Sequence, residues 1–242
     1  GERLTWSGGW DFRAREVLAA TMTGEVRRAS VARWLPAQPE FDVIDVQARA
    51  SGPLARVQHG GRATISQLKA RGLNPVALTV EWRGAGAVVE HVNADAAAGA
   101  SRLTLTGSAD QDAATLTAVE FTQKGATRLK LAAPARVQWR PQLQLVGLHL
   151  AEGNALLKAS ATGGETGRVE VSAREIASRW FSDFVPESGP PWHLNLLALL
   201  GSRDRGPLKI SLSAGATLEI GEGRSAAVMA SARGDGNGLM IE

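Results

Sequence analysis

From about residue 41 onward, apolar and polar residues alternate with a period of two, in short bursts closed by Gly, Asn, Asp or Pro. Successive side chains of a β-strand point to opposite faces, so this pattern specifies strands with one sheltered side. Phe41 and Val43 begin the series and, after a one-residue slip, Val46 and Ala48 continue it. Val76, Leu78, Val80 and Trp82 alternate with Ala77, Thr79, Glu81 and Arg83. Leu103 and Leu105 are flanked by Arg102, Thr104 and Thr106, and Leu129 and Leu131 by Arg128 and Lys130. Val137 and Trp139 alternate with Arg136, Gln138 and Arg140, and Val169 and Val171 with Arg168, Glu170 and Ser172. Leu208, Ile210 and Leu212 alternate with Lys209, Ser211 and Ser213, and Leu218 and Ile220 close the series. One face is apolar and the other hydrophilic, which is how antiparallel strands read when one sheet face stays wet. No helical pattern of crossover length recurs between strands, which argues against a parallel α/β sheet.

The connectors suit hairpins and meanders. Gly84–Gly86, Ala97–Gly99, Gly107–Gln111, Gly163–Gly167 and Gly221–Gly223 interrupt the strands, with Gly supplying the positive φ of tight turns. Leu143 and Leu145 have one parity and Leu148 and Leu150 the other, so a bulge near Gly147 is expected to restore a single apolar face. One segment reads differently. Ser172 to Glu175 has the form of a capping box, after which Ile176, Ala177, Trp180, Phe181 and Phe184 share one helical face until Pro186. This predicts a short amphipathic helix over 174–185, packed on the sheet as a plug. Arg13 to Leu35 fits either a broken helix or two strands around Gly24, and strands are favoured.

Composition removes several functions. The chain has no Cys, which excludes a disulfide scaffold, a Cys-ligated metal and a Cys nucleophile. Net charge is only +3, and the pI of about 9.8 reflects a basic complement that is mostly Arg. Nucleic-acid binding needs clustered positive charge with aromatics or a helix to present it, so none is expected. The one basic stretch is Lys124, Arg128, Lys130, Arg136 and Arg140, with no acid between Glu120 and Glu152; it reads as solvated strand faces or an anionic-ligand surface. No apolar run exceeds the five residues of Leu196 to Leu200, well short of the ~20 residues of a spanning helix. The sequence opens at Gly1 without a signal-peptide pattern, so the expectation is a mature chain or an excised segment with any anchor outside it.

No catalytic constellation emerges. His59, His91, His149 and His193 are scattered, none at a ligand spacing, and His149 between two leucines is expected to point to solvent. Ser66 to Lys69 matches Ser-x-x-Lys but lacks the helix start and Lys-Thr-Gly strand which that chemistry needs. Gly84-Ala-Gly86 lacks the third Gly and following helix of a dinucleotide site. Gly234 to Gly238 carries one carboxylate, too few for calcium, and reads as a turn. The expectation is a non-enzyme without cofactor or metal.

Several stretches carry a family resemblance: Gly72-Leu-Asn-Pro-Val-Ala-Leu-Thr-Val-Glu-Trp-Arg-Gly84, Ser101-Arg-Leu-Thr-Leu-Thr-Gly-Ser108 and Leu131-Ala-Ala-Pro-Ala-Arg-Val-Gln-Trp139. Leu143–Leu150 and Gly167-Arg-Val-Glu-Val-Ser-Ala173 continue them. Serial "x-Leu-x-Leu-x-Gly" strands with a late amphipathic segment resemble, over residues 40–242, the large TamB and AsmA-like proteins of Gram-negative envelopes. The resemblance is one of texture, without a signature motif. It implies an inner-membrane-anchored periplasmic protein whose long, curved antiparallel sheet folds into a taco-like trough with an apolar concave face. It also implies phospholipids as ligands, outer-membrane assembly machinery as a partner, an inner-membrane anchor outside this segment, and no catalytic residues. Residues 1–242 then form a single β-rich segment, with a sub-boundary near 36–40.

The residues themselves lead part of the way independently, since a one-faced apolar sheet must bury that face against a second sheet or against an apolar ligand. The groove-facing set is Val76, Leu78, Val80, Trp82, Leu103, Leu105, Leu129, Leu131, Val137, Trp139, Leu208, Ile210 and Leu212. The competing reading is a structural or adhesive all-β module of a surface protein, a sandwich or a β-solenoid. A β-helical polysaccharide enzyme ranks last. A solenoid should show regular coils of about 20–25 residues, often with stacked Asn; here the Asn are scattered and the spacing irregular.

Overall fold

The computed structural model describes residues 3–27, 40–70, 72–186, 190–205, 209–221, 224–235 and 238–241. Among them the chain is nearly all β, with two single-turn 3₁₀ segments and no α-helix. The chain divides into two compact units, Gly1–Gln111 with Asp183–Pro186, and Asp112–Ser182 with Glu187–Glu242.

The first unit is an antiparallel meander of β1 (Arg3–Asp11), β2 (Glu16–Arg27), β3 (Val43–Pro53), β4 (Gln58–Leu68), β5 (Val76–Ala85), β6 (Val88–Ala98) and β7 (Ser101–Ala109), each paired with the next. The favoured strand reading of the N-terminal region holds for β2, while residues 28–35 and the expected sub-boundary at 36–39 lie outside the described residues. Asp11 closes the first hairpin by accepting the backbone N–H groups of Arg13 and Ala14 at 2.8 and 2.9 Å. The β6–β7 hairpin turns at Gly99, whose φ of +53° suits a residue without Cβ. Asp183 sits over that turn, accepting from the Ala100 N–H at 3.0 Å and the Ser101 hydroxyl at 2.8 Å. Ser101 is fully buried, at 1% exposure.

The second unit contains β8 (Ala113–Gln123), β9 (Ala126–Leu131), β10 (Ala135–Gln138), β11 (Gln144–Glu152), β12 (Ala155–Thr162), β13 (Thr166–Arg174), β14 (Ile176–Ala177), β15 (Trp192–Asp204), β16 (Lys209–Gly221), β17 (Arg224–Asp235) and β18 (Gly238–Ile241). Both β9 and β10 lie between β8 and β11, so together they make one interrupted strand. Pro134, which has no N–H to give a ladder, stands in the interruption. From β11 the order is a meander through β12, β13, β15, β16, β17 and β18. The bulge expected near Gly147 is present: the β11–β12 register shifts between Leu145 and Leu148, and Gly147 has φ +77°.

The helix predicted over 174–185 does not form. Ser172, its expected cap, is inside β13, opposite Lys158 on one side and Ala198 on the other. Glu175 adopts φ +54°, a left-handed conformation that no α-helix propagates, and this re-aims the chain into β14. A single 3₁₀ turn at Ser178–Trp180 then succeeds β14. The aromatic spacing instead serves packing: Phe181 stacks on Phe121, and the Trp180 ring lies under the Arg128 guanidinium, 5.6 Å from the ring centre.

Candidate functional site: an open apolar sheet face

In a paired sheet, directly opposite residues share a face, so the register draws the apolar surface row by row. In the first unit one row runs Leu4, Gly24, Val46, Ala63, Val80, Ala94, Leu105 across β1 to β7. A second runs Val26, Ile44, Ile65, Leu78, Ala96, Leu103. A third runs Trp6, Met22, Ala48, Gly61, Trp82, Val92, Gly107. The opposite face of the same strands reads Thr5, Thr23, Gln47, Arg62, Glu81, Asn93, Thr106, and beside it Glu25, Asp45, Thr64, Thr79, Asp95, Thr104. Two continuous faces of opposite character result.

Gly61 has a specific task in this surface. A Cβ there would come 2.6 Å from Cζ2 of Trp82, so only Gly lets the indole lie across β4. The broadest apolar side chain of the third row therefore spreads over a neighbouring strand.

The second unit repeats the arrangement. Ala114, Val137, Leu145, Ala161, Val169, Gly201 and Ile210 form one row. Leu148, Ala159, Val171, Leu199 and Leu212 form the next, and Leu131, Leu150, Leu157, Ala173, Leu197 and Ala214 a third. The other face carries Lys158, Ser172, Ala198 and Ser213 in one row and Ser160, Glu170, Leu200 and Ser211 in another.

The large side chains of these faces are part-buried rather than fully buried. Leu78, Val80, Trp82, Leu105, Leu131, Val137, Ile210 and Leu212 are all half-buried, and Leu103 is 39% exposed. Among the described residues, nine of the fifteen buried apolar ones are Ala, so few large side chains of the kind that fill a sandwich interior are fully buried.

Within the first unit, then, Leu78, Val80, Trp82, Leu103 and Leu105 fall into adjacent rows, with Val76 buried beside Leu68 at the start of β5. Within the second, Val137 and Ile210 share a row, while Leu212 and Leu131 stand in the neighbouring ones. Leu129 points the same way but is 3% exposed, opposite Phe121. Trp139 follows the end of β10, where its N–H donates to the Asp112 carbonyl at 2.8 Å, and it is outside the ladder. Leu208 lies outside the described residues. The apolar rows also hold residues outside the expected groove-facing set, chiefly Ile44, Ile65, Leu145, Val171, Leu197 and Leu199, most of which alternation signals equally well. The last two sit in a five-residue apolar run whose period is hidden because Leu196, Ala198 and Leu200, on the other face, are apolar as well.

Polar chemistry is sparse. The basic stretch is internally compensated in part: Lys130 Nζ is 2.8 Å from Glu152 Oε2 across the β9–β11 pairing. The Glu152 hydrogen bond and charge, with a smaller contribution from Glu120, raise the Lys130 pKa above its ordinary value. His149 is half-buried, in the hydrophilic row opposite Lys158. His193 Nδ1 is 2.9 Å from Asn195 Oδ1, and its Nε2 is 3.5 Å from Glu175. Ser66 lies inside β4 opposite Val43, in a strand rather than at a helix start. Among the described residues no group of three His, Asp or Glu could hold a metal, and no helix is long and apolar enough to cross a membrane. No family model, curated protein or solved structure matches this chain.

Proposed function

We propose that this chain is a segment of a periplasmic, bridge-like lipid-transfer protein of the TamB and AsmA-like kind, its sheet curved into a trough whose apolar face conducts phospholipid acyl chains between membranes. The single observation that carries the reading is the pair of part-buried apolar faces, built in register across β1–β7 and again across β8–β16. Burying a methylene there gains about 0.8 kcal/mol, so an acyl chain of about sixteen carbons gains on the order of 10 kcal/mol before its ordering entropy. Such binding needs no head-group pocket and no catalytic residue. The anchor and the outer-membrane assembly partner implied by the resemblance belong to the same proposal, as does the periplasmic location. The competing adhesive or sandwich module has less support, because a closed sandwich fully buries its large apolar side chains and these are only part-buried.

Photo-crosslinkers at Leu105 and Leu131 test the proposal in cells. Phospholipid adducts are expected at both, and none at Thr104 or Lys130 on the hydrophilic face. Absence of adducts at both apolar positions, with no lipid in extracts of the purified chain by mass spectrometry, would overturn it.

A further inference from the structure

We propose that the hydrophilic face of the first unit holds a binding site for a phosphoryl anion, gripped by Arg49 and Arg83 over Gly60. A hollow of about 890 Å³ lies on β2–β6, and these three residues line it. The register places them in one row, Thr21, Arg49, Gly60, Arg83, His91, on the face opposite the apolar rows. Arg49 and Arg83 are therefore two strands apart, about 10 Å between backbones, with the one residue between them contributing no side chain. Gly60 is buried, and a Cβ there would sit 3.0 Å from the Trp82 carbonyl oxygen and 3.6 Å from Arg83 Cβ. A side chain at position 60 would stand in the row between Arg49 and Arg83.

Charge bookkeeping favours an anion. The acids on the hollow are already engaged: Glu81 pairs with Arg62 at 3.4 Å, and Glu90 with Arg56 at 3.6 Å. Arg49 and Arg83 are exposed and have no hydrogen-bond or ion-pair partner among the described residues. Guanidinium presents a planar fork of donors that matches phosphate oxygens two at a time, and two such forks facing one gap suit a tetrahedral dianion or phosphodiester better than a carboxylate. The chemistry is that of a phosphoryl group, whether free or on a lipid head group. Because it occupies the hydrophilic face, the site does not rest on the acyl-chain reading above.

The test uses the whole chain and its Arg49→Gln, Arg83→Gln and Arg83→Lys variants. Arg102→Gln serves as a control, removing the same charge outside the hollow from a side chain paired with Asp95. Titration calorimetry with inorganic phosphate and with glycerol 3-phosphate is set beside co-sedimentation with phosphatidylcholine vesicles, with and without phosphatidic acid. Either Gln substitution is expected to weaken binding about tenfold or more, the loss of one charged hydrogen bond. Arg83→Lys should recover part of this, and Arg102→Gln should change nothing. Binding of the soluble anions assigns a free phosphoryl ligand. Arginine-dependent binding of phosphatidic acid vesicles alone assigns the head group. The proposal is overturned if the parent chain binds neither, or if Arg102→Gln weakens binding as much as Arg49→Gln does. It is equally overturned if vesicle binding persists in both Gln variants, an outcome that would leave the apolar-face proposal standing.

Discussion

The ring of Phe181 stacks on that of Phe121, with centroids 5.0 Å apart and planes 11° from parallel. This contact anchors the segment after β14 to β8. It is reinforced one turn away, where the Gln123 side-chain amide donates to the Arg179 carbonyl. Phe121 is 5% exposed and Phe181 half-buried, so the pair forms one of the few large apolar contacts sheltered from water. Phe181→Ala should lower stability by about 2 kcal/mol, less than the ~3–5 kcal/mol of a fully buried phenylalanine. Urea denaturation would read this as a lower midpoint at unchanged slope, and an unchanged midpoint would show that the stack is incidental.

Asp183 makes a different kind of contact, in the first unit. Its carboxylate is the acceptor for both the Ala100 N–H and the buried Ser101 hydroxyl, and its own carbonyl accepts from the Asn74 side chain at 3.1 Å. Asp183→Ala leaves the Ser101 hydroxyl buried without that acceptor, a loss of about 1–3 kcal/mol. Faster hydrogen exchange at the Ala100 amide should accompany it. Exchange unchanged from the parent would mean that the turn holds itself.

Lys130 gives a pH dependence whose sign is fixed by its pairing with Glu152. The folded pKa is raised, so the fold favours the charged ammonium. The pair's contribution is complete below the unfolded value of about 10.4 and disappears as pH climbs through the higher folded value. Through this route stability should therefore be flat with pH in the neutral range, and Glu152→Gln should remove the pair's contribution there. NMR titration of the Lys130 side chain should show its midpoint falling in that variant. A midpoint equal to the parent's would mean that the pair does not persist in solution.

The strands and their two faces were legible because period two is a local property: Val76, Leu78, Val80 and Trp82 state their own orientation whatever they pair with. The Gly147 bulge was legible for the same reason, as a break in parity. The segment after Arg174 was not. Its apolar spacing fits a helix equally well, and only the long-range pairing of Ser172 with Lys158 and Ala198 withdraws the cap residue from that use. Glu175 and Gln67, non-glycine residues at φ +54° and +56°, sit where the chain kinks, and neither residue type announces it. Alternation cannot show where a strand stops, so it carries on to Trp139 although β10 ends at Gln138. The Arg49–Gly60–Arg83 row was invisible for a related reason, since it spans three strands and exists only in the register.

Leu105→Arg separates an open conduit from a closed core more sharply than any deletion. Leu105 stands in the Leu4–Val80 row, half-buried, with Ala94 as its nearest cross-strand neighbour. Small neighbours leave a long side chain room to lie along the sheet with its guanidinium reaching water, so the fold should lose less than about 1 kcal/mol. In a closed core the same charge would be stranded and the chain would lose several kcal/mol. The substitution also places a charge in the path of any acyl chain following that row. The expected result is a near-parental melting curve together with loss of lipid capture at a crosslinker on Val80, two residues away along the row. Unfolding of the variant would show that the face is covered in solution. Parental folding with undiminished capture would show that lipid, if bound, travels elsewhere.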